Sequence, residues 1–398
     1  MLSLGNFRLA MAAGMSDSYF VTVIAAGGWD TTSVCDPKGD IRYSESRGVI
    51  NRYSVSDIRK VGNLRYAPML NSSHTGKDHM DTFFKDHYRD IRVYNGLNFA
   101  TNSHPVGRRT GKSGSGSSVQ PDTAALLAAM DRQGKPLAYY LGSGSTVTGG
   151  SVSASRLNGV STLERLAKPF RYLPNEVTEE VLSQHKISTA QVDAGLNTVN
   201  DRRAMREYLE GHADTAQLNR LLDSLPDSVS SGAKGEAEIA AAAFSAGVSN
   251  SAQIQLGGFD THNSNDSRQH NSLMSYFNAV NHLIAELERQ GVADRTTILL
   301  CSDFGRTPYY NSQNGKDHWN VGSTMVWSRR FPGNRVIGAT DGQVKAVKLN
   351  PDTLEPDPNG VILRPAHLHL AFRDRLGLLG TDLDAQFPLN VELLDLLS

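Results

Sequence analysis

Cysteine is almost missing from this 398-residue chain, which holds only Cys35 and Cys301. Two thiols are too few for a disulfide framework, and they have no metal-ligand spacing. Cys301 closes an apolar run and reads as core. Excess charge of either sign is missing too. Forty Lys and Arg face 41 Asp and Glu, for a net charge of −1, so no electrostatic field favours nucleic acid or an anionic membrane surface. No apolar run approaches the roughly 18–20 residues that a membrane-spanning helix needs. The first residues, MLSLGNFRLAMAAGM, lack a basic segment followed by an apolar stretch. No signal peptide is read there. That predicts a cytoplasmic protein, or a periplasmic or exported one if an upstream leader has been removed. Nothing in the composition specifies an oligomer.

A hydrophobic fraction of 39% is ample for a core. At about 100–200 residues per domain, the length suits two ordinary domains or one large α/β domain. The order of segments favours one domain over 1–398. YFVTVIAA (19–26) is β-rich and almost continuously apolar, as a strand buried on both faces must be. DHMDTFFKDHYRD (78–90) reads as a helix, 91–99 as a strand, 123–133 as a helix and 136–144 as a strand. That alternation predicts a mostly parallel sheet with helices on both faces. Residues 160–225 are charged and helical and read as an insertion or cap. A helix over 236–247 then feeds a strand at 251–256. Apolar residues at Leu273, Phe277, Val280, Ile284 and Leu287 give helical spacing over 268–291. Strands follow at 296–301 and 323–327, and a last helix at 366–378. The stretch 100–118, rich in Gly and Ser, reads as a loop.

A β-rich run followed by two glycines, an aromatic, Asp and Thr occurs twice, as GGWDTT (27–32) and GGFDTH (257–262). GKDH also occurs twice, at 76–79 and 315–318. In open α/β sheets, ligands bind beyond the carboxyl ends of the strands. Three predicted strands end in acid there: Asp30, Asp260 and Asp303. His262 follows Asp260 at Asp-x-His spacing, and His318 lies one loop beyond the third strand. Carboxylates and imidazoles at one sheet edge suit one or two divalent metal ions, Zn, Ca, Mg or Mn. Each copy of the doubled motif then delivers one aspartate to a shared site. Taken singly, a strand-end Asp is more often a turn former or helix cap.

GGWD with the following DPKGD, then GGFDTH, SDFGRTP, GKDHW and GATDG (338–342), resemble in order and spacing the bacterial family called domain of unknown function 1501. That family is similar to the alkaline phosphatase and sulfatase superfamily. The resemblance covers most of the chain and is densest over 236–342. It implies a three-layer α/β/α sandwich with a metal site at the strand ends. It implies Asp30 and Asp303 as ligands of one metal, and Asp260, His262 and His318 as ligands of the other. The implied activity is hydrolysis of phosphate or sulfate esters, on a small molecule or a polymer, by a Ser or Thr nucleophile. The alternative is a non-catalytic metal-binding or structural protein on the same fold.

The resemblance puts the nucleophile in ATNSHPVGRRTG (100–111), where Ser103, Pro105 and Arg108 resemble a sulfatase signature with the arginine one residue late. Ser103 is the first choice and Thr101 the second. Arg108 and Arg306 are candidates to hold the ester oxygens, and Arg306 alternatively braces its loop through a carboxylate. His104 is a candidate ligand or acid–base group. The pattern departs from the superfamily at Asp303, which is followed by Phe304 where a histidine is usual.

Overall fold

The computed structural model describes residues 18–131, 135–157, 159–167 and 217–398. The N-terminal stretch read for a leader and most of the 160–225 segment lie outside the described residues.

The strands in chain order are β1 (Tyr19–Ala25), β2 (Arg42–Ser44), β3 (Gly48–Val49), β4 (Arg59–Val61), β5 (Leu64–Tyr66), β6 (Ile91–Asn98), β7 (Tyr139–Leu141), β8 (Ala154–Ser155), β9 (Ser251–Leu256), β10 (Thr296–Ser302), β11 (Gly305–Arg306), β12 (His318–Trp319), β13 (Val321–Ser328), β14 (Arg335–Ile337), β15 (Lys348–Leu349) and β16 (Val361–Ile362). The helices used below are α1 (His79–His87), α2 (His104–Ser113), α3 (Thr123–Met130), α4 (Val160–Ala167), α5 (Gly232–Ser245), α6 (Asn265–Arg289) and α7 (Pro365–Arg375). Among the described residues no helix is long and apolar enough to cross a membrane.

Eight strands form one sheet in the order β14-β6-β13-β10-β1-β9-β7-β8. Only β13 runs against the others, pairing antiparallel with β10 and β6. β1 lies at the centre with every residue buried. Its side chains alternate between two cores, as the period of two along a strand demands. Val21, Val23 and Ala25 join a cluster with α1, α5 and α6. Phe20 and Ile24 join a second cluster with α3 and α7. The protein is thus a mixed α/β structure with a mostly parallel central sheet and helices on both faces. Both cysteines are buried and free.

The register sets the functional edge. Ala25 pairs with Ser302 on one side and with Leu256 on the other. The chain therefore leaves β1, β9 and β10 at one level, and neighbouring strands lie about 4.7–4.9 Å apart. After β10 the chain doubles back, and β11 pairs with β12 so that Arg306 faces His318.

One element departs from expectation. Residues 104–113, read as loop, form α2. Pro105 sits in the first turn, where its missing N–H is harmless and its fixed φ is already helical. Gly114 ends the helix at φ 80°. The loop reading rests on the Gly and Ser content of 100–118, and Gly107 and Gly111 within it lower helix propensity. Both are needed for packing: a Cβ on Gly107 would lie 2.3 Å from the Asp303 carbonyl oxygen, and one on Gly111 would lie 2.8 Å from that of Ser302.

Candidate metal centre at the strand ends

Asp260 is the hub. Its Oδ1 lies 3.0 Å from His262 Nε2, 3.4 Å from His318 Nε2 and 2.5 Å from Arg306 Nη2. Its Oδ2 lies 3.5 Å from His104 Nε2. The two imidazoles of His262 and His318 bring their Nε2 atoms to 3.0 Å of each other. One ligand atom each from His104, Asp260 and His318 lies within 4.8 Å of the others. Burial disfavours the Asp260 anion, but the hydrogen-bonded Arg306 guanidinium outweighs it and holds the pKa down to about 2.

Each of the three rings is oriented from behind. His262 Nδ1 donates to Asp317 Oδ1 at 2.7 Å, His318 Nδ1 to the Asn102 carbonyl at 2.8 Å, and His104 Nδ1 to Asp303 Oδ2 at 2.7 Å. A carbonyl or carboxylate only accepts, so Nδ1 carries the proton in each ring, and Nε2 of a neutral ring is a bare lone pair. Burial lowers the His318 pKa, with Arg306 and His104 acting in the same sense, which favours that neutral form. His104 Nε2 is buried with no hydrogen-bond partner, and so is Asp303 Oδ1. Orphaned buried acceptors are costly, and the His104 nitrogen is the one turned toward the Asp260 carboxylate.

Phe304, which follows Asp303, packs beneath the cluster. Its ring packs against His104 and His318, with centroids 4.9 and 4.7 Å away. His104, delivered from α2, therefore sits over both Phe304 and the Asp303 carboxylate.

Arg306 braces the edge. It is fully buried. Its Nε donates to the Gly28 carbonyl at 2.9 Å, its Nη1 to the Lys316 carbonyl at 3.0 Å, and its Nη2 to the Gly27 carbonyl and to Asp260. Gly27 has φ 120°, and a Cβ there would meet the Asp260 nitrogen at 2.4 Å. Only glycine permits that conformation and that approach. Both GG turns thus converge on one guanidinium.

Asp303 is buried beside the imidazoles. Its Oδ2 also accepts from Gly27 N at 3.1 Å and, weakly, from Arg108 Nη1 at 3.4 Å. Burial raises its pKa, with His104 and Arg108 offsetting part of the rise. Ser103 is exposed as the N-cap residue of α2, and its hydroxyl caps no helical N–H. Thr101 Oγ1 accepts from Ser103 N at 3.1 Å. Asp341 is a turn residue, accepting from Gln343 N and Lys345 N.

The structure gathers Asp260, His262, His318, His104, Asp303, Arg108 and Arg306. Asp30 stands differently. It is fully buried and bonded to Thr32, Ser33, Asn265 and Lys316, with Lys316 Nζ at 2.7 Å. Burial opposes its ionisation, but Lys316 wins and its pKa lies below the ordinary carboxylate value. Sequence reasoning missed Lys316, Asp317 and the Asn102 carbonyl. The one available signal was that Asp317 directly precedes His318 within GKDH.

The fold and site define a mixed α/β protein with a histidine–carboxylate cluster at the carboxyl edge of its sheet. Residues 226–354, which carry GGFDTH, SDFGRTP, GKDHW and GATDG, match the family described as "Protein of unknown function (DUF1501)", and this supports the DUF1501 resemblance. Comparison with curated proteins finds no match. Two solved structures are similar over most of the chain. One is described as "Crystal structure of Ps i-CgsB in complex with k-i-k-neocarrahexaose"; it is 12% identical, with TM-score 0.35, covering 96% of this chain and 75% of that one. The other, "Crystal structure of Ps i-CgsB", is 12% identical, with TM-score 0.36, covering 93% and 76%.

Proposed function

We propose that this protein is a metal-dependent hydrolase of phosphate or sulfate esters on an alkaline phosphatase-like three-layer α/β/α sandwich. One observation carries the reading: three imidazoles, each tied at Nδ1 to an acceptor, turn Nε2 toward the Asp260 carboxylate. Such backing fixes ring orientation and raises ligand basicity in metal sites. Bare nitrogen lone pairs around a carboxylate attract a cation, and a donor set rich in imidazole suits zinc better than calcium or magnesium. His104, Asp260, His262 and His318 would hold it. A divalent ion there supplies Lewis-acid polarisation of a phosphoryl or sulfuryl oxygen.

The remaining roles fall to the start of α2. Ser103 presents an exposed hydroxyl directly before His104 and is the nucleophile candidate. Thr101, already accepting from Ser103 N, is the second choice. Arg108 lies one turn along from His104 and holds Asp303 only loosely, so its guanidinium is free to grip anionic oxygens. Arg306, with its donors spent on the backbone and Asp260, positions the metal carboxylate. The second reading, a non-catalytic metal-binding protein on this framework, draws on the Ser103 hydroxyl, which makes no hydrogen bond to a base among the described residues.

The test is metal content measured beside turnover of chromogenic phosphate and sulfate monoesters. Asp260→Ala is expected to lose bound metal and hydrolysis together. Ser103→Ala is expected to keep the metal and lose nearly all hydrolysis, because only the attacking atom is removed. A metal-loaded wild-type protein that turns over neither ester class favours the binding protein, and full activity in Ser103→Ala removes Ser103 from the mechanism.

A further inference from the structure

We propose that the centre holds one metal ion per chain, and that the Lys316 ammonium is the permanent counter-ion of Asp30. This rests on the metal-centre reading above. An ionised carboxylate offers about four lone-pair positions. Asp30 already receives five donors. Oδ1 accepts from Thr32 N at 3.1 Å and from Thr32 Oγ1 at 2.7 Å. Oδ2 accepts from Ser33 Oγ at 2.9 Å, Asn265 Nδ2 at 3.1 Å and Lys316 Nζ at 2.7 Å. No lone pair is left for a metal.

Charge gives the same answer. Asp30 and Lys316 are both 0% exposed and neutralise each other. The ammonium also donates to Thr32 Oγ1 at 3.2 Å and lies 5.1 Å from the centre of the Tyr310 ring. A dication next to that buried ammonium would meet like charge without solvent to screen it. Asp303, the other acid that the resemblance pairs with Asp30, has Oδ2 engaged by His104, Gly27 and Arg108, leaving only Oδ1. A single carboxylate oxygen is too small a donor set for a second ion. The imidazoles, by contrast, all cluster on the Asp260 side.

The experiment is elemental analysis of the full chain after saturation with Zn²⁺ and, separately, Mn²⁺, followed by removal of free ion, with circular dichroism as the check of fold. One equivalent per chain is expected for the wild type. The double variant Asp30→Asn, Lys316→Met removes both charges at similar volume and is expected to keep that equivalent. Two equivalents in the wild type overturn the proposal and leave the hydrolase reading standing. Loss of the ion in a folded double variant also overturns it, since Asp30 would then be a ligand. No bound ion in the folded wild type overturns the metal-centre reading itself, a result distinct from the other two. Should the double variant fail to fold, the wild-type stoichiometry alone decides.

Discussion

Asp317 shows how one residue outside the proposed ligand set would govern the proposed metal centre. Its carboxylate holds His262 Nδ1 at 2.7 Å and also accepts from Asn311 Nδ2 at 3.1 Å. Asp317→Asn keeps the shape but weakens the acceptor and leaves the tautomer of His262 open. Losing such a partner typically lowers metal affinity about 10–100-fold. We expect a loss of that size in a competition titration against a chelator, with little change in thermal stability. Unchanged affinity would mean that His262 stands outside the ligand set. Lys316 is the opposite kind of residue, bonded wholly within the fold. Removing Asp30 alone strands a buried ammonium, and breaking one side of a buried ion pair costs about 3–5 kcal/mol. Asp30→Ala should therefore unfold at a clearly lower denaturant concentration than wild type, while the Asp30→Asn, Lys316→Met pair should lie between them.

At the scale of elements, α2 positions the centre. It brings His104 over Asp303 only because Gly107 and Gly111 let the helix axis approach the end of β10. Gly107→Ala puts a methyl 2.3 Å from a backbone oxygen, and one of the two elements must move. Overpacking of this kind typically costs about 1–3 kcal/mol. The helix is the freer partner, so His104 should move away from Asp260. The expected outcome is lower stability together with weaker metal binding. Loss of stability with unchanged metal affinity would show that His104 is dispensable to the ion. The same glycines misled the reading of 100–118. Propensity favours a loop, and close packing on the sheet favours a helix that only glycine can supply.

Across the whole molecule, acid should act through buried histidine as well as through the centre. His369 is 1% exposed in α7. Its Nδ1 accepts from Thr123 Oγ1 at 2.7 Å and its Nε2 donates to the Gly111 carbonyl at 3.0 Å, tying α7 to α3 and α2. Burial pushes its pKa down from 6.5 to about 3. Between those values the unfolded chain binds a proton that the folded chain does not, so stability is full above about pH 6.5 and falls progressively toward pH 3. His369→Gln removes this titration. Urea midpoints measured from pH 7 to pH 4 should fall less steeply in the variant, and equal slopes would place the acid sensitivity elsewhere.

The linear chain by itself determined the α/β class, the buried strand 19–26, the helix 268–291 and the three acids at strand ends. Periodicity and turn chemistry are local, and these elements obey them. Asp260, His262 and His318 were legible because a strand end and a short motif place them. What only the tertiary structure decided is what each polar side chain meets. The two GKDH segments make the point. At 76–79, Asp78 caps α1 and pairs with Arg59. At 315–318 the same four residues send Lys316 to Asp30, Asp317 to His262 and His318 to Asp260. The two GG-aromatic-Asp segments diverge likewise, one aspartate entering a buried ion pair and the other a cluster of imidazoles. Identical local sequence has identical local preferences. The partner of a charge is set by which strands pair and which loops cross above them, and the contacts of Lys316 with Asp30 and of Arg306 with Gly27 join residues more than two hundred positions apart.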